Sequence, residues 1–452
     1  MRTVILALAL TATPLAPTGA APTTAATTAS ADACVPLTKE PGEELKPTTI
    51  DTIGQAFDCV FEHYYAAPVL DHRPMLLRAF AKLTAELQRR DLDSSDAVMP
   101  PLTGDRGKDW AAFAETYRGL AAHVPADAQQ ALAAATMRGM MSALNDNHAG
   151  WDRPEGDGTA YGVGILGVSA RPDDSAARGP LYITRLQPGS PLARRGVRPG
   201  DVIVSINGHA PFVNGFLVPS ALDPIMGKEP VELTLRRPGS GRTWKVKITP
   251  VPFQPERPTV SAERLEGDVA YVKVPGFYGG VADEVRKAVE GLSVKRGVVL
   301  DLRGNGGGSP REVTRLLGAF AHGKVTSYFC DVRDQCTPNR TDDSVPLLGL
   351  PLTVLVDREC ASACDDFSAA VRGLGLGELV GTRTAGLVSG PGAPYLLSDG
   401  SVMSLPKLHH RGPGKEIVDT IGVPADHQVL TRAEDLAAGR DPALSKALEV
   451  LR

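Results

Sequence analysis

Long apolar runs are absent from this chain of 452 residues: no segment reaches the eighteen or more apolar positions that a membrane-spanning helix needs. Dense Lys/Arg runs are absent too, and a formal net charge of -4 leaves no electrostatic footprint for nucleic acid. None of the cysteine pairs has CxxC spacing and no histidine sits at a distance matching them, so a zinc site is the less favoured reading and no metal is expected. The Gly-rich turn at 304–308 carries neither GK[ST] nor GxGxxG, which removes the case for a phosphate cradle there. No cofactor is expected.

What is present reads as a soluble globular protein. Apolar residues make up 42% and charged residues 22%, and the length suits two or three domains. At the start, Arg2 precedes a short apolar run over residues 4–10, and small residues follow at Gly19, Ala20 and Ala21. That pattern is read as a secretory signal peptide, with an Ala/Thr-rich leader completing residues 1–33 and a secreted or cell-envelope location for the rest. Six cysteines suit an oxidising compartment, and proximity pairs Cys330 with Cys336, Cys34 with Cys59 and Cys360 with Cys364. His409 and His410 are adjacent on a strand and read as surface or packing residues.

Three regions follow the leader. Residues 34–155 are helical in pattern: Ile53, Phe57, Phe61 and Tyr64 recur at helical spacing, "LLRAFAKLTAELQRR" is amphipathic, and Met137, Met140, Met141 and Leu144 line one apolar face. That methionine stripe is expected to be core, and it breaks into the polar loop "NDNHAGW". Residues 156–252 change to short β-type runs punctuated by Gly and Pro, among them "YGVGILGV", "DVIVSING" and "VELTLRR". Residues 253–452 alternate strands ("GVVLDLRG", "LPLTVLVD") with helices ("SPREVTRLLGAFA", "SACDDFSAAVRGLG"), the order of an α/β layer on a largely parallel sheet.

The stretch "LPLTVLVDRECASACDDFSAAV" reads as strand, tight turn and helix, with Ser362 where the helix begins. A hydroxyl there is either a nucleophile beside a positive helix end or an ordinary N-cap. Backbone N–H groups of Ala363 and of the 304–308 turn would serve a nucleophile as an oxyanion hole.

Taken in order, "LDLRGNGGG", "DRECASACDDF", "GTRTAG" and "IGVPAD" resemble the carboxy-terminal processing (tail-specific) serine peptidases. "LQPGSPLARRGVRPGDVIVSINGH" resembles the PDZ module that this family carries. The resemblance implies a crotonase/ClpP-like layered α/β catalytic domain, an inserted PDZ domain and an N-terminal helical segment. It further implies Ser362 as nucleophile, an oxyanion hole from Gly307 and Ala363, and capture of free protein C-termini by a loop over Tyr161, Gly162, Val163 and Gly164.

One departure selects a branch. Better-known bacterial members place a lysine about twenty-five residues after the serine; here that position is Leu387, and the next lysine is Lys407. "TAG" without the lysine is similar to the tricorn-like branch, whose base is a histidine in a DxH motif, matched here by Asp146, Asn147 and His148. The orienting carboxylate is then Asp419, with Glu416 a nearby substitute. Such a carboxylate is expected to hold the imidazole near or above its ordinary value of about 6.5. The competing reading is an inert peptide-binding scaffold. If the branch is right, Lys407→Ala and Lys415→Ala leave turnover largely intact in a peptide-cleavage assay. A loss beyond a few hundredfold in either would restore a Ser/Lys mechanism.

Overall fold

The computed structural model describes residues 34–37, 45–153, 159–170, 177–253, 259–390 and 392–451. The expected signal peptide and leader lie outside the described residues. In the C-terminal region the two most apolar runs form the strands Gly297–Asp301 and Leu352–Val356, buried at every position. They occupy the middle of a six-stranded sheet ordered Ser261–Leu265, Val269–Lys273, Gly297–Asp301, Leu352–Val356, Gly377–Gly381, His427–Gln428. Only the first pair is antiparallel. A parallel sheet of this kind must be covered on both faces. One face packs the helices Val281–Leu292, Pro310–Gly318 and Ala363–Gly373 through Val285, Leu316 and Phe367. The other takes the helix Pro442–Val450, whose Ala443 and Ala447 rest on Val299, Leu355 and Val380.

This register places the chemistry. The central strands are parallel neighbours, with Asp301 opposite Leu355, so both run out at the same edge of the sheet. One continues into the Gly-rich turn and the other into the turn that carries Ser362. Loops leaving the carboxyl ends of adjacent parallel strands lie side by side, which is where α/β sheets build their sites.

The helical region comprises Ile50–His63, Arg73–Arg89, Arg106–Ala121 and Ala126–Ser142. Met137, Met140 and Met141 are buried among its core residues. The helix Arg106–Ala121 is not among those anticipated from periodicity; its clearest signal is the Asp105 N-cap, whose carboxylate accepts from the Lys108 N–H at 2.9 Å. This core is not built from its own segment alone. Tyr395, Leu397, Met403 and Leu405, from the hairpin Gly392–Leu396/Val402–Pro406, are part of it. The same hairpin pairs with the strand Gly150–Asp152, directly after His148, so sheet pairing across about 250 residues carries the histidine to the C-terminal domain.

The middle region has a core of its own, including Val163, Ile183, Leu192, Ile203 and Leu233. Its sheet Val202–Ile206, Val231–Arg236, Thr243–Ile248 is accompanied by the pair Ile165–Val168/Ile183–Leu186 and by the 3-10 segment Pro219–Met226. The three cysteine pairs anticipated from proximity lie at disulfide distance, with Cα separations of 5.5 Å for Cys34–Cys59, 4.0 Å for Cys330–Cys336 and 5.2 Å for Cys360–Cys364. Among the described residues no helix is long and apolar enough to cross a membrane.

The helices Arg73–Arg89 and Ala126–Ser142 meet tightly at Gly139. A β-carbon there would lie 2.5 Å from the Arg78 carbonyl oxygen and 2.9 Å from the Lys82 side chain. Gly139→Val is therefore expected to lower the melting temperature, at a cost of about 1–3 kcal/mol for overpacking. An unchanged transition in calorimetry would mean that the helices do not meet at this point.

Candidate active site

Ser362 opens the helix Ala363–Gly373 with φ +58° and ψ -120°, a conformation that a residue with a β-carbon rarely adopts. Strain of this kind costs about 1–3 kcal/mol and persists only where the surroundings enforce it. Here they do. Asp365 is fully buried and accepts the Ser362 N–H at 2.9 Å, the Gly386 N–H at 2.9 Å, the Leu387 N–H at 3.0 Å and the Thr384 hydroxyl. Burial pushes the Asp365 carboxyl up, and those four donors oppose the shift. On the approach to the turn, Asp357 Oδ1 accepts the N–H groups of Gly304, Glu359 and Cys360, tying the two loops together. Cys360 and Cys364 are buried on either side of the serine, with their Cα atoms 5.2 Å apart at disulfide distance.

Gly307 stands against the serine. Its φ is +106°, and a β-carbon there would lie 2.6 Å from Ser362 Cβ, so only glycine fits. The Gly307 N–H is held by Asn305 Oδ1 at 2.9 Å, while the Ala363 N–H makes no hydrogen bond among the described residues. Gly307, Ser362 and Ala363 thus meet at one point, with Ala363 as the free donor.

His148 reaches them from the other side. Its Nε2 lies 3.5 Å from Ser362 Oγ. The polar loop is shaped by Asp146, whose Oδ1 accepts the His148 N–H at 2.9 Å and whose Oδ2 accepts the Tyr64 hydroxyl at 3.1 Å. Asn147 anchors the same loop by donating to the Leu387 carbonyl at 2.8 Å. On the far side of the imidazole, Nδ1 meets Ser389 Oγ at 2.5 Å. A neutral ring with its proton on Nδ1 donates to Ser389 and turns the Nε2 lone pair toward Ser362.

Asp419 lies behind this serine rather than on the ring. Its Oδ1 accepts the Val388 N–H at 3.2 Å, one residue before Ser389, and no hydrogen bond joins it to His148. Burial, then repulsion from Asp146, raises the Asp419 carboxyl to about 6. Glu416 is exposed and accepts the Gly414 N–H at 2.8 Å within its own turn. Lys407 lies over the Tyr395 ring and Lys415 over Tyr328, neither of them against Ser362.

A cavity of about 1180 Å³ joins this cluster to the middle region. Ser362, His148, Gly306 and Leu387 line one side; Tyr161, Gly162, Val163 and the strand Ile165–Val168 line the other. Gly164, expected with the binding loop, packs against Ser190. Arg185 Nε donates to Glu359 Oε2 at 3.0 Å, which ties the middle region to the residues just before Ser362.

Residues 268–429 match the model of Peptidase family S41, and residues 182–214 match the PDZ domain model. The chain carries a family S41 peptidase domain and a PDZ domain. It is 29% identical over 329 residues to Tricorn protease homolog 1 of Streptomyces coelicolor, a span covering 68% of this chain and 29% of that protein. It is 30% identical over 295 residues to the chloroplastic C-terminal processing peptidase of Tetradesmus obliquus, covering 60% and 61%. The chain therefore spans less than two thirds of the length of these relatives. The solved Photosystem II D1 C-terminal processing protease shares the fold with a TM-score of 0.54 at 22% identity, over 89% of this chain and 97% of that one.

Two residues of this cluster escaped the sequence reading. Asp365 had a signal, since Ser362 followed three positions later by a carboxylate is a capping-box spacing. Ser389 had none: it is 241 residues from His148 and no local pattern marks it. The expected upward hold on the imidazole is also reversed. Burial lowers the His148 pKa below its ordinary 6.5, and Asp146 opposes only part of that. NMR titration with labelled histidine should give a His148 midpoint below 6.5. A midpoint at or above 6.5 would show that a carboxylate, not burial, governs the ring.

Proposed function

We propose that the protein is an extracytoplasmic serine endopeptidase that holds the C-terminal tail of a protein in its PDZ domain and cleaves nearby by acyl transfer. The observation that carries this reading is the pair Ser362 Oγ and His148 Nε2, 3.5 Å apart on the wall of a cavity that the PDZ loop also lines. In the proposed reaction Ser362 Oγ attacks the scissile carbonyl and gives its proton to Nε2. The Ala363 N–H receives the developing oxyanion, joined by the Gly307 N–H when Asn305 releases it. The imidazolium then protonates the departing amine. Water, deprotonated by the same nitrogen, hydrolyses the acyl-serine.

Ser389 takes the place beside Nδ1 that a carboxylate would hold in a Ser/His/Asp triad, and Asp419 acts at one remove through the segment that carries Ser389. We read the branch as the tricorn-like one, and the two-faced sheet as crotonase/ClpP-like layering. Residues 34–155, 156–252 and 253–452 are proposed as the helical, PDZ and catalytic units. The three bonded cysteine pairs support an oxidising compartment.

A fluorophosphonate probe is expected to label Ser362, and Ser362→Ala to abolish both labelling and cleavage with the fold intact by circular dichroism. kcat/KM should rise with pH through the His148 pKa and level off above it, because only the neutral ring accepts a proton. His148→Ala should lower the rate by about 10²–10⁴ and remove that limb. An unlabelled Ser362 in folded protein would favour the scaffold reading instead.

A further inference from the structure

Behind the Ser362 turn lies another contact between a histidine and a carboxyl, which the proposed reaction does not use. Asp366 follows Asp365 in the first turn of the helix Ala363–Gly373, and its N–H donates to the Ser362 carbonyl at 3.1 Å. Its side chain meets His410, whose Nε2 lies 2.9 Å from Asp366 Oδ1. The two residues are 3% and 2% exposed, so His410 belongs to the interior rather than the surface. His410 Nδ1 has no partner among the described residues, which leaves Asp366 to fix the ring. Two apolar side chains would fill this space without desolvation, so burial alone does not account for the pair.

The origin of His410 supplies a reason. It stands four residues after the strand Val402–Pro406, which pairs with Gly150–Asp152 and so carries His148. The strand His409–Arg411 then pairs with Val325–Cys330 and sets His410 opposite Phe329. Between the two strands, the Leu408 carbonyl leaves no room for a β-carbon at Gly390, so this backbone presses on the loop that brings Ser389 to His148 Nδ1. A β-carbon at Gly392 would lie 3.1 Å from the His148 carbonyl oxygen, so the hairpin is also close-fitting at the histidine itself. One short segment, 402–410, therefore reaches the strand after His148, the Ser389 loop and, through Asp366, the helix that begins at Ser362.

We propose that Asp366 and His410 are positioning residues: their contact fastens the Ser362 helix to the segment that carries His148 and so sets the Oγ–Nε2 spacing. The inference rests on the Ser/His reading and adds to it the strut between the two elements. Asp365 ties the same turn to residues 384–387, and Asp366 ties it to 402–410. At 3.5 Å the Ser362–His148 contact has little slack, and a misplacement of about 1 Å costs about 10²-fold in rate.

The test uses the full chain. Asp366→Ala combined with His410→Met removes the contact and leaves no polar side chain buried alone, so circular dichroism should show the fold intact. Asp366→Ser, whose hydroxyl can bond the Ser362 carbonyl but cannot reach His410, is made alongside and read in the same way. Both variants are expected to react with a fluorophosphonate about ten to a hundred times more slowly than the parent. By NMR the His148 midpoint should move up toward 6.5, because a loosened site lets water reach the ring. His410→Gln, with an amide donor in the place of Nε2, should keep both readouts close to the parent's. A role in stability alone would lower the melting temperature and leave the His148 midpoint where it was. An unmoved midpoint in folded variants, labelling as fast as the parent's, or His410→Gln as slow as the double replacement would overturn the inference and leave the peptidase. If the parent itself takes no label, the peptidase reading falls, and the midpoint alone then decides: moved, the strut stands; unmoved, it falls too.

Discussion

The Asp365 carboxylate holds together what the rest of the site needs. Ser362 stands in a backbone conformation that is uphill for any residue with a β-carbon, and the helix behind it would relax the turn if it were free to do so. Asp365 prevents this from the first turn of that helix. It binds the Ser362 N–H on one side and Thr384, Gly386 and Leu387 on the other, fastening the Ser362 turn to the loop that also delivers Ser389. A carboxylate without exposure needs such donors, because an unpaired buried charge would cost several kcal/mol. The same four donors that make its burial tolerable fix the geometry of the turn. Structure and electrostatics are one arrangement here.

A second constraint is steric. Gly307 abuts Ser362 so closely that no β-carbon fits between them, and Asp357 binds N–H groups from both loops. The parallel register of Gly297–Asp301 and Leu352–Val356 brings those loops together, and the glycine lets them touch. His148 arrives by another route, carried by a three-residue strand that pairs with the hairpin Gly392–Leu396/Val402–Pro406. Its ring is then governed by burial more than by charge. Asp146 serves the His148 backbone and Tyr64, and Asp419 serves the Val388 backbone, so neither carboxylate sits on the ring nitrogen.

The order of elements, the layering of the C-terminal region and the glycine loop were legible in the sequence because each rests on local rules. Nearly continuous apolar runs mark strands buried on both faces, and a strand followed by Gly-rich backbone and then a helix marks a loop at the sheet edge. Ser362 could be found for the same reason: its place at a helix start depends on its immediate neighbours. The helix Arg106–Ala121 was harder, since it carries little contrast between its faces and only its cap stands out.

The amino-acid order by itself determined where Ser362, Gly307 and the turn of residues 146–148 lie along the chain, because helix starts, tight turns and strand ends are set within a few residues. Only the tertiary structure decided what meets the imidazole. Asp419 and Ser389 are both far from His148 in sequence, and no periodicity distinguishes them. Strand pairing and the Asp365 bonds set the loop so that Ser389 Oγ reaches Nδ1 while Asp419 stops at the Val388 N–H. Contacts between distant segments are chosen by packing over the whole molecule, and that choice leaves no trace in any short window of residues.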